Sequence, residues 1–303
     1  MGLLWPQRSE LAADAILAAL YAHPFKIHRP AEQRVPFVFA SPHSGRLYPA
    51  SFVAQSALDP LSLRRSEDAY ADVLFEGVVA AGAPLIAARF PRAFVDANRA
   101  PGELDPAMFH SPTQIRAEPS NPRVQAGLGV IPRIVRDGAE IYRAKLDPLE
   151  ASRRLELLHR PYHQALAALV EETRARFGVA IVIDCHTMPS AAAVPDIVVG
   201  DRHGFSAAPS LVEHAEHAFA AAGFSSVRNS PYAGGYTTHL YARRHEAIHA
   251  LQIEVSRALY LDEERIERRD SFEPLKARLT IALGALVAFD WSVLAAPCAM
   301  AAE

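Results

Sequence analysis

The sequence predicts an α/β fold: a three-layer αβα arrangement around a mixed central sheet. Three observations lead there. Short runs rich in Val, Ile and Phe alternate with segments of helical periodicity. Several strand-like runs follow one another too closely for a helical crossover, so some sheet neighbours must be antiparallel. A chain of 303 residues, 50% hydrophobic and 21% charged, is also large and apolar enough to bury a core without staples. No Gly/Ser linker, low-complexity tract or internal repeat divides it, so residues 1–303 read as a single domain.

The elements follow in order. The run 36–41 is the first strand, and it exits into Pro42-His43-Ser44-Gly45. Over 67–82 the apolar positions Tyr70, Val73, Leu74, Val78 and Ala81 follow helical spacing. Glu67 and Asp68 fall in the first turn of that helix, where acidic residues suit the macrodipole. Strands are expected at 84–88 and 93–96. The stretch 98–135 is rich in Pro and Gly without periodicity, and a long irregular segment in a compact domain is commonly functional, so it is expected to cover the site. Helical spacing returns over 147–177 with Leu155, Leu158, Tyr162, Leu166, Leu169, Val170 and Phe177, and Pro161 should kink this helix or restart it. Strands at 179–185, 196–200, 225–228 and 248–254 complete the sheet. A helix at 209–222 is capped by Gly223. The last helix runs from about 270 to 293, with Asp270 and Glu273 as its capping box.

Charge and cysteine content narrow the function classes. Lys and Arg number 31 against 34 Asp and Glu, a formal charge of -3, so no strong positive field draws nucleic acid or an anionic membrane. From Leu279 to Ala302 the only charge is Asp290; its position in mid-segment and Pro297 favour a buried helix over a membrane span. Met1–Glu10 lacks the charged and apolar regions of a signal peptide. Cys185 and Cys298 are too few for a disulfide framework and suit a reducing compartment, so a cytoplasmic location is expected.

Chemistry concentrates at strand exits, where ligands bind in open α/β sheets. His43 and His186 both leave apolar runs, and strand alternation puts Asp184 and His186 on one face with Cys185 on the other. Asp184 is placed to orient His186 as a ligand or a neighbouring group, and Cys185 reads as a small buried hydrophobe. Zinc commonly takes two histidines and a carboxylate, and Asp68 or Glu67 is available as the third donor. Arg92 precedes the 93–96 run, and Asp96, Asn98 and Arg99 stand at its exit, offering donors for a substrate carboxylate, which Arg binds bidentately. Glu254 ends an apolar strand, a costly position for a carboxylate unless it is paired or functional. His159 and His163 have the spacing of a helical zinc pair, but Pro161 lies between them and they read as structural. No Gly-x-Ser-x-Gly, Gly-x-Gly-x-x-Gly or Walker sequence occurs, which disfavours serine hydrolase, dehydrogenase and nucleotidase readings.

Seven short motifs in order resemble the N-formylglutamate amidohydrolase family. They are Pro42-His43-Ser-Gly45, Glu67-Asp68-Ala-Tyr70, Asp96-Ala-Asn98-Arg99, Arg160-Pro-Tyr-His163, Asp184-Cys-His186-Thr-Met, Gly234-Gly-Tyr236-Thr-Thr and His249-Ala-Leu-Gln-Ile-Glu254. The family in turn is similar to zinc carboxypeptidases and aspartoacylases, which implies a phosphorylase/hydrolase-like fold. The resemblance implies one zinc ion on His43, Asp68 and His186, with Glu67 the rival carboxylate. It implies Glu254 as general base, Arg92 at the oxyanion, and Asn98, Arg99 and Tyr236 as substrate-binding residues. The implied reaction converts N-formyl-L-glutamate to formate and L-glutamate in histidine degradation, by a monomer or small homo-oligomer acting on a small acidic N-acyl amino acid. Two departures stand out: Arg46 occupies the place of the carboxypeptidase-type glutamate, and His239-Leu240-Tyr241 replaces a histidine directly before the tyrosine. The alternatives are a zinc amidohydrolase or peptidase for another N-acyl amino acid or small peptide, and a non-catalytic metal-stabilised binding protein.

Overall fold

A computed structural model describes residues 14–118, 121–135, 138–191 and 195–294. Met1–Glu10, Pro119, Pro297 and Cys298, which entered the sequence reading, lie outside them. The strands are β1 Phe25–His28, β2 Phe37–Ser41, β3 Leu85–Ala88, β4 Ala180–Met188, β5 Ile197–Gly200, β6 Ser226–Arg228, β7 Ile248–Ser256, β8 Leu261–Asp262 and β9 Glu267–Arg268. The helices are α1 Ala15–Ala22, α2 Ala50–Gln55, α3 Pro60–Arg64, α4 Ala71–Phe75, α5 Val78–Ala81, α6 Pro122–Gln125, α7 Pro148–Arg154, α8 Arg160–Phe177, α9 Pro209–Ala221, α10 Tyr236–Tyr241 and α11 Phe272–Val287. The described residues divide into two compact units: one holds those within 14–26, 43–67 and 88–163, the other those within 27–42, 68–87 and 164–294.

The second unit carries a mixed seven-stranded sheet in the order β1-β3-β2-β4-β7-β5-β6, flanked by helices, so the α/β expectation holds. β2 pairs in parallel with β3 and β4, β4 with β7, and β5 with β6; the β5–β7 pair is antiparallel. β4 and β7 are buried along their whole length, as expected of central strands that read as apolar runs. On one face Ile181, Ile183, Cys185, Leu251, Ile253 and Val255 pack with Leu74, Val78, Leu211, Phe219, Leu279 and Leu283 of α4, α5, α9 and α11. Cys185 is thus a core hydrophobe whose thiol is pushed up, first by burial and then by the Asp184 charge. The opposite face of the same two strands carries Asp184, His186, Gln252 and Glu254, with Asp184 registered to Gln252 and His186 to Glu254. The alternation that fills the core therefore lines up polar groups on the other side.

The first unit contains α1, α2, α3, α6 and α7, and its loops are fixed by backbone bonds more than by regular structure. α7 runs into a π-helical turn, Leu155–His159, immediately before Pro161, and α8 begins at Arg160. The helical backbone is unbroken from 148 to 177, so Pro161 does not interrupt it, and the N–H it lacks falls where the ladder widens into the π-helical turn.

Several expected elements differ. Residues 93–96 form a turn, because Pro91 accepts from the N–H groups of Phe94 and Val95 and closes the chain on itself. The 67–82 helix is two short helices that start at Ala71, leaving Glu67 and Asp68 in the connection from α3. The capping box is absent: α11 starts after Ser271, which makes no side-chain cap bond, and ends at Val287, followed by a 3-10 turn over Trp291–Leu294. β1 was missed, being a four-residue edge strand without a buried residue. Gly223 does cap α9, with φ +78° and its N–H on Ala220 O. Among the described residues no helix is long and apolar enough to cross a membrane.

Candidate functional site

In the second unit the site is built outward from His186, near the end of β4. Its Nδ1 lies 2.8 Å from Asp68 Oδ2 and its Nε2 lies 2.9 Å from Asp184 Oδ2. Asp68 Oδ1 accepts from Arg257 Nη2 at 2.8 Å, and Arg257 also donates through Nε to Thr187 Oγ1 at 3.1 Å. Across the register from His186, Glu254 accepts from Gln252 Nε2 at 2.8 Å. Burial works to strip a proton from His186, but the Asp184 charge and the bonds to Asp184 and Asp68, with Glu254 nearby, outweigh it and hold the imidazole well above its usual range.

Asp68 reaches this cluster from a turn. Tyr70 has φ 64°, a left-handed backbone that costs energy for a residue with a large side chain. Tyr260 supports the turn by donating its hydroxyl to Ala69 O at 2.7 Å, and the Tyr70 ring packs against Phe272 at 5.9 Å. Tyr236, the first residue of α10, is half-buried, and Thr237 and Thr238 beside it are buried. His239 is exposed and lies 2.8 Å from Arg202 Nη1.

In the first unit the hub is Asp96. His43 Nε2 lies 2.7 Å from Asp96 Oδ1, Arg92 Nε donates to Oδ2 at 3.0 Å, and the Asn98 N–H closes on Oδ1 at 2.8 Å. Burial alone would raise the Asp96 carboxyl, but His43, Arg92 and Arg99 hold it well below the usual carboxylate range. Arg99 is buried, with Nε 3.9 Å from both Asp96 and Glu103. His159 donates from Nε2 to Arg99 O at 2.9 Å, and His163 to Ala97 O at 2.8 Å, so both are neutral clamps on this loop, as their structural reading expected. Burial, then the neighbouring His159, lowers His163 to about 3. Arg154, fully buried, donates to Phe94 O and Tyr142 Oη and stacks 3.9 Å over the Phe94 ring.

Gly45 has a different purpose from the sharp turn its position suggests. A Cβ there would lie 2.1 Å from Phe90 O, so glycine allows the chain after His43 to press against the Arg89–Phe90 backbone. Glu67 stays in the first unit's own network: Tyr48 Oη donates to Oε1 at 2.7 Å, and Arg64 meets both oxygens at 3.0 and 3.2 Å.

His43 in the first unit and Asp68 and His186 in the second are all buried, and imidazole and carboxylate are groups that hold metal ions. Two features of the chemistry fit a divalent cation. Each histidine has a carboxylate behind it at Nε2, Asp96 for His43 and Asp184 for His186, as metal-bound histidines commonly do. In addition, Asp68, Asp184 and Glu254 bring three buried carboxylates to the second unit's cluster against the guanidinium of Arg257, a negative excess that a divalent ion would offset. Sequence reasoning missed Asp96 as the partner of His43 and missed Arg257 altogether. The available signal for Arg257 was a second charged residue leaving the same apolar strand as Glu254.

Comparison with known proteins places these features in a family. Residues 35–261 match the family model described as N-formylglutamate amidohydrolase. An N-formylglutamate deformylase of Pseudomonas aeruginosa is 30% identical over 268 residues, covering 84% of this chain and 94% of the relative. One from Pseudomonas putida is 28% identical over 267 residues with the same coverage, 84% and 94%. The crystal structure of an N-formylglutamate amidohydrolase from Ralstonia eutropha JMP134 superposes with a TM-score of 0.81 at 36% identity, covering 87% of this chain and 96% of that one. A protein of Agrobacterium tumefaciens shares the fold, with a TM-score of 0.62 at 17% identity over 89% of this chain and 96% of its own.

Proposed function

Because the chain belongs to the N-formylglutamate amidohydrolase family, we propose that its two units act as one zinc amidohydrolase domain that converts N-formyl-L-glutamate and water to formate and L-glutamate. The family match supports this by running through residues of both units. The observation that carries the chemistry is His186, held by Asp68 at 2.8 Å and Asp184 at 2.9 Å on the strand registered with Glu254. The ligand set is His43, Asp68 and His186. Asp68 is favoured over Glu67 because Asp68 meets His186, whereas both oxygens of Glu67 are engaged by Tyr48 and Arg64.

A zinc ion held by His43, Asp68 and His186 would supply Lewis-acid character and would lower the pKa of a water. Glu254 takes the proton of the attacking water and returns it to the glutamate nitrogen as the C–N bond breaks. Arg92, anchored through Nε on Asp96 yet with 28% of its side chain accessible, donates to the oxygen that gains charge. Asn98 and Arg99 bind the acidic end of the substrate, on a loop whose carbonyls His159 and His163 fix in place, and Tyr236 adds a phenolic donor. We assign the activity to histidine degradation in the cytoplasm, by a monomer or small homo-oligomer.

The test is metal analysis of the purified protein followed by formate release from N-formylglutamate. One zinc per chain and activity that chelation abolishes and zinc restores are expected; equal turnover with and without metal would sink the mechanism. N-acetylglutamate, N-formylaspartate and a dipeptide measured in parallel should all give lower kcat/KM. A better substrate among them would move the assignment to that N-acyl class. Zinc that raises Tm with no turnover on any of them would identify a binding protein.

A further inference from the structure

We infer that Gln252 is a positioning residue for Glu254, so that the proton acceptor of the reaction is a Gln252–Glu254 pair on β7 and not a lone carboxylate; this rests on the general-base reading of Glu254. Residues i and i+2 of a strand share a face, and these two have side chains long enough to meet along it. Gln252 Nε2 lies 2.8 Å from Glu254 Oε1, with both residues buried at 5% and 6% exposure. The amide orientation is dictated by charge: turned the other way, Gln252 would present a carbonyl oxygen to a carboxylate at hydrogen-bond distance.

The consequence for Glu254 is geometric. The last torsion of a glutamate is broad and nearly two-fold, so an unheld carboxylate samples many planes. A donor on Oε1 restricts that plane and so sets the direction from which the carboxylate takes the proton. The donor is neutral, so it orients the base without the strong charge stabilisation that a guanidinium would impose. Its backbone is held in turn. β7 is flanked by β4 and β5, and Gln252 lies between Asp184 on one side and Gly200 on the other. Gly200 carries no side chain there because a Cβ would come within 2.9 Å of the Ala233 backbone, so the neighbouring wall beside Gln252 is main chain.

The experiment is a double-mutant cycle on the zinc-loaded enzyme with Gln252→Met, which keeps length and removes the donor, and Glu254→Gln. Gln252→Met is expected to lower kcat by about 10- to 100-fold, the range for a misplaced catalytic group, with KM within about two-fold and with zinc content and Tm unchanged. In the Glu254→Gln background the same substitution should cost nothing further, because the group it positions is gone. Unchanged kcat in Gln252→Met, or an equal loss in both backgrounds, overturns the pairing. Should Gln252→Met fail to fold, Gln252→Leu, which also removes the donor and adds no charge, is read by the same two criteria. Full turnover in Glu254→Gln alone would overturn the general-base reading itself, a result separate from loss of the pairing.

Discussion

At the scale of single residues, the proposed chemistry depends on carboxylates standing behind histidines. An imidazole ligates best when its other nitrogen donates to a fixed acceptor, which sets the tautomer and raises ligand basicity. Asp96 does this for His43 at 2.7 Å and Asp184 for His186 at 2.9 Å. Removing the acceptor while keeping the shape should therefore weaken metal binding without removing a ligand. Asp96→Asn is expected to lower zinc affinity by about 10- to 100-fold in a chelator competition titration; unchanged affinity would show that His43 is not a ligand. Glu254→Gln should cut kcat by about 10²- to 10⁴-fold while zinc stays bound, read by formate release alongside metal analysis. The contact of Asp184 with His186 was legible because the two sit two residues apart, and strand alternation alone brings the pair to one face. The bond from Asp96 to His43 spans 53 positions of sequence and has no local periodicity to announce it. Arg257 was hidden for the same reason, since its partner Asp68 is 189 positions away.

At the scale of elements, legibility followed burial. β2, β4 and β7 are buried throughout, and their apolar runs mark them within three residues at each end. The run 93–96 has the same composition, Ala-Phe-Val-Asp, yet forms a turn, because a proline-initiated turn and a backbone bond from Asp96 N–H to Val130 O use the groups a strand would pair. Composition reports burial, and both a core strand and a buried turn satisfy it. Gly45 belongs to this scale, since it governs how closely two loop backbones approach. Gly45→Ala would set a Cβ 2.1 Å from Phe90 O, and neither main chain yields cheaply. It is expected to destabilise by at least ~1–3 kcal/mol, the usual cost of overpacking, seen as a lower urea midpoint. An unchanged midpoint would mean the two segments separate freely.

At the scale of the whole molecule, buried histidines of opposite tendency shape the pH dependence of stability. His163 is lowered to about 3 and His249 to about 4, in both cases chiefly by burial, against an ordinary value of 6.5. Below pH 6.5 the unfolded chain takes up protons that the native state refuses, so stability falls as the solution becomes more acidic. Each group contributes up to about 1.4 kcal/mol per pH unit while it remains neutral in the fold. His186 acts in the other direction. Its folded value is raised, so in metal-free protein its contribution is fully present below the unfolded value and is lost as pH rises through the folded one. It therefore adds no slope on the acid side. Metal-free protein should be most stable near its histidines' unperturbed value, about pH 6.5, with an acid flank from His163 and His249 and an alkaline flank from His186. Urea unfolding between about pH 4.5 and 8 tests this. His163→Asn should flatten the acid flank by about 1.4 kcal/mol per pH unit and leave the alkaline flank in place. Zinc, which requires a neutral His186, should remove the alkaline flank and leave the acid one. An acid flank that His163→Asn does not change would mean that the fall in stability comes from carboxylates, Asp96 foremost, and not from the histidine clamps on the loop.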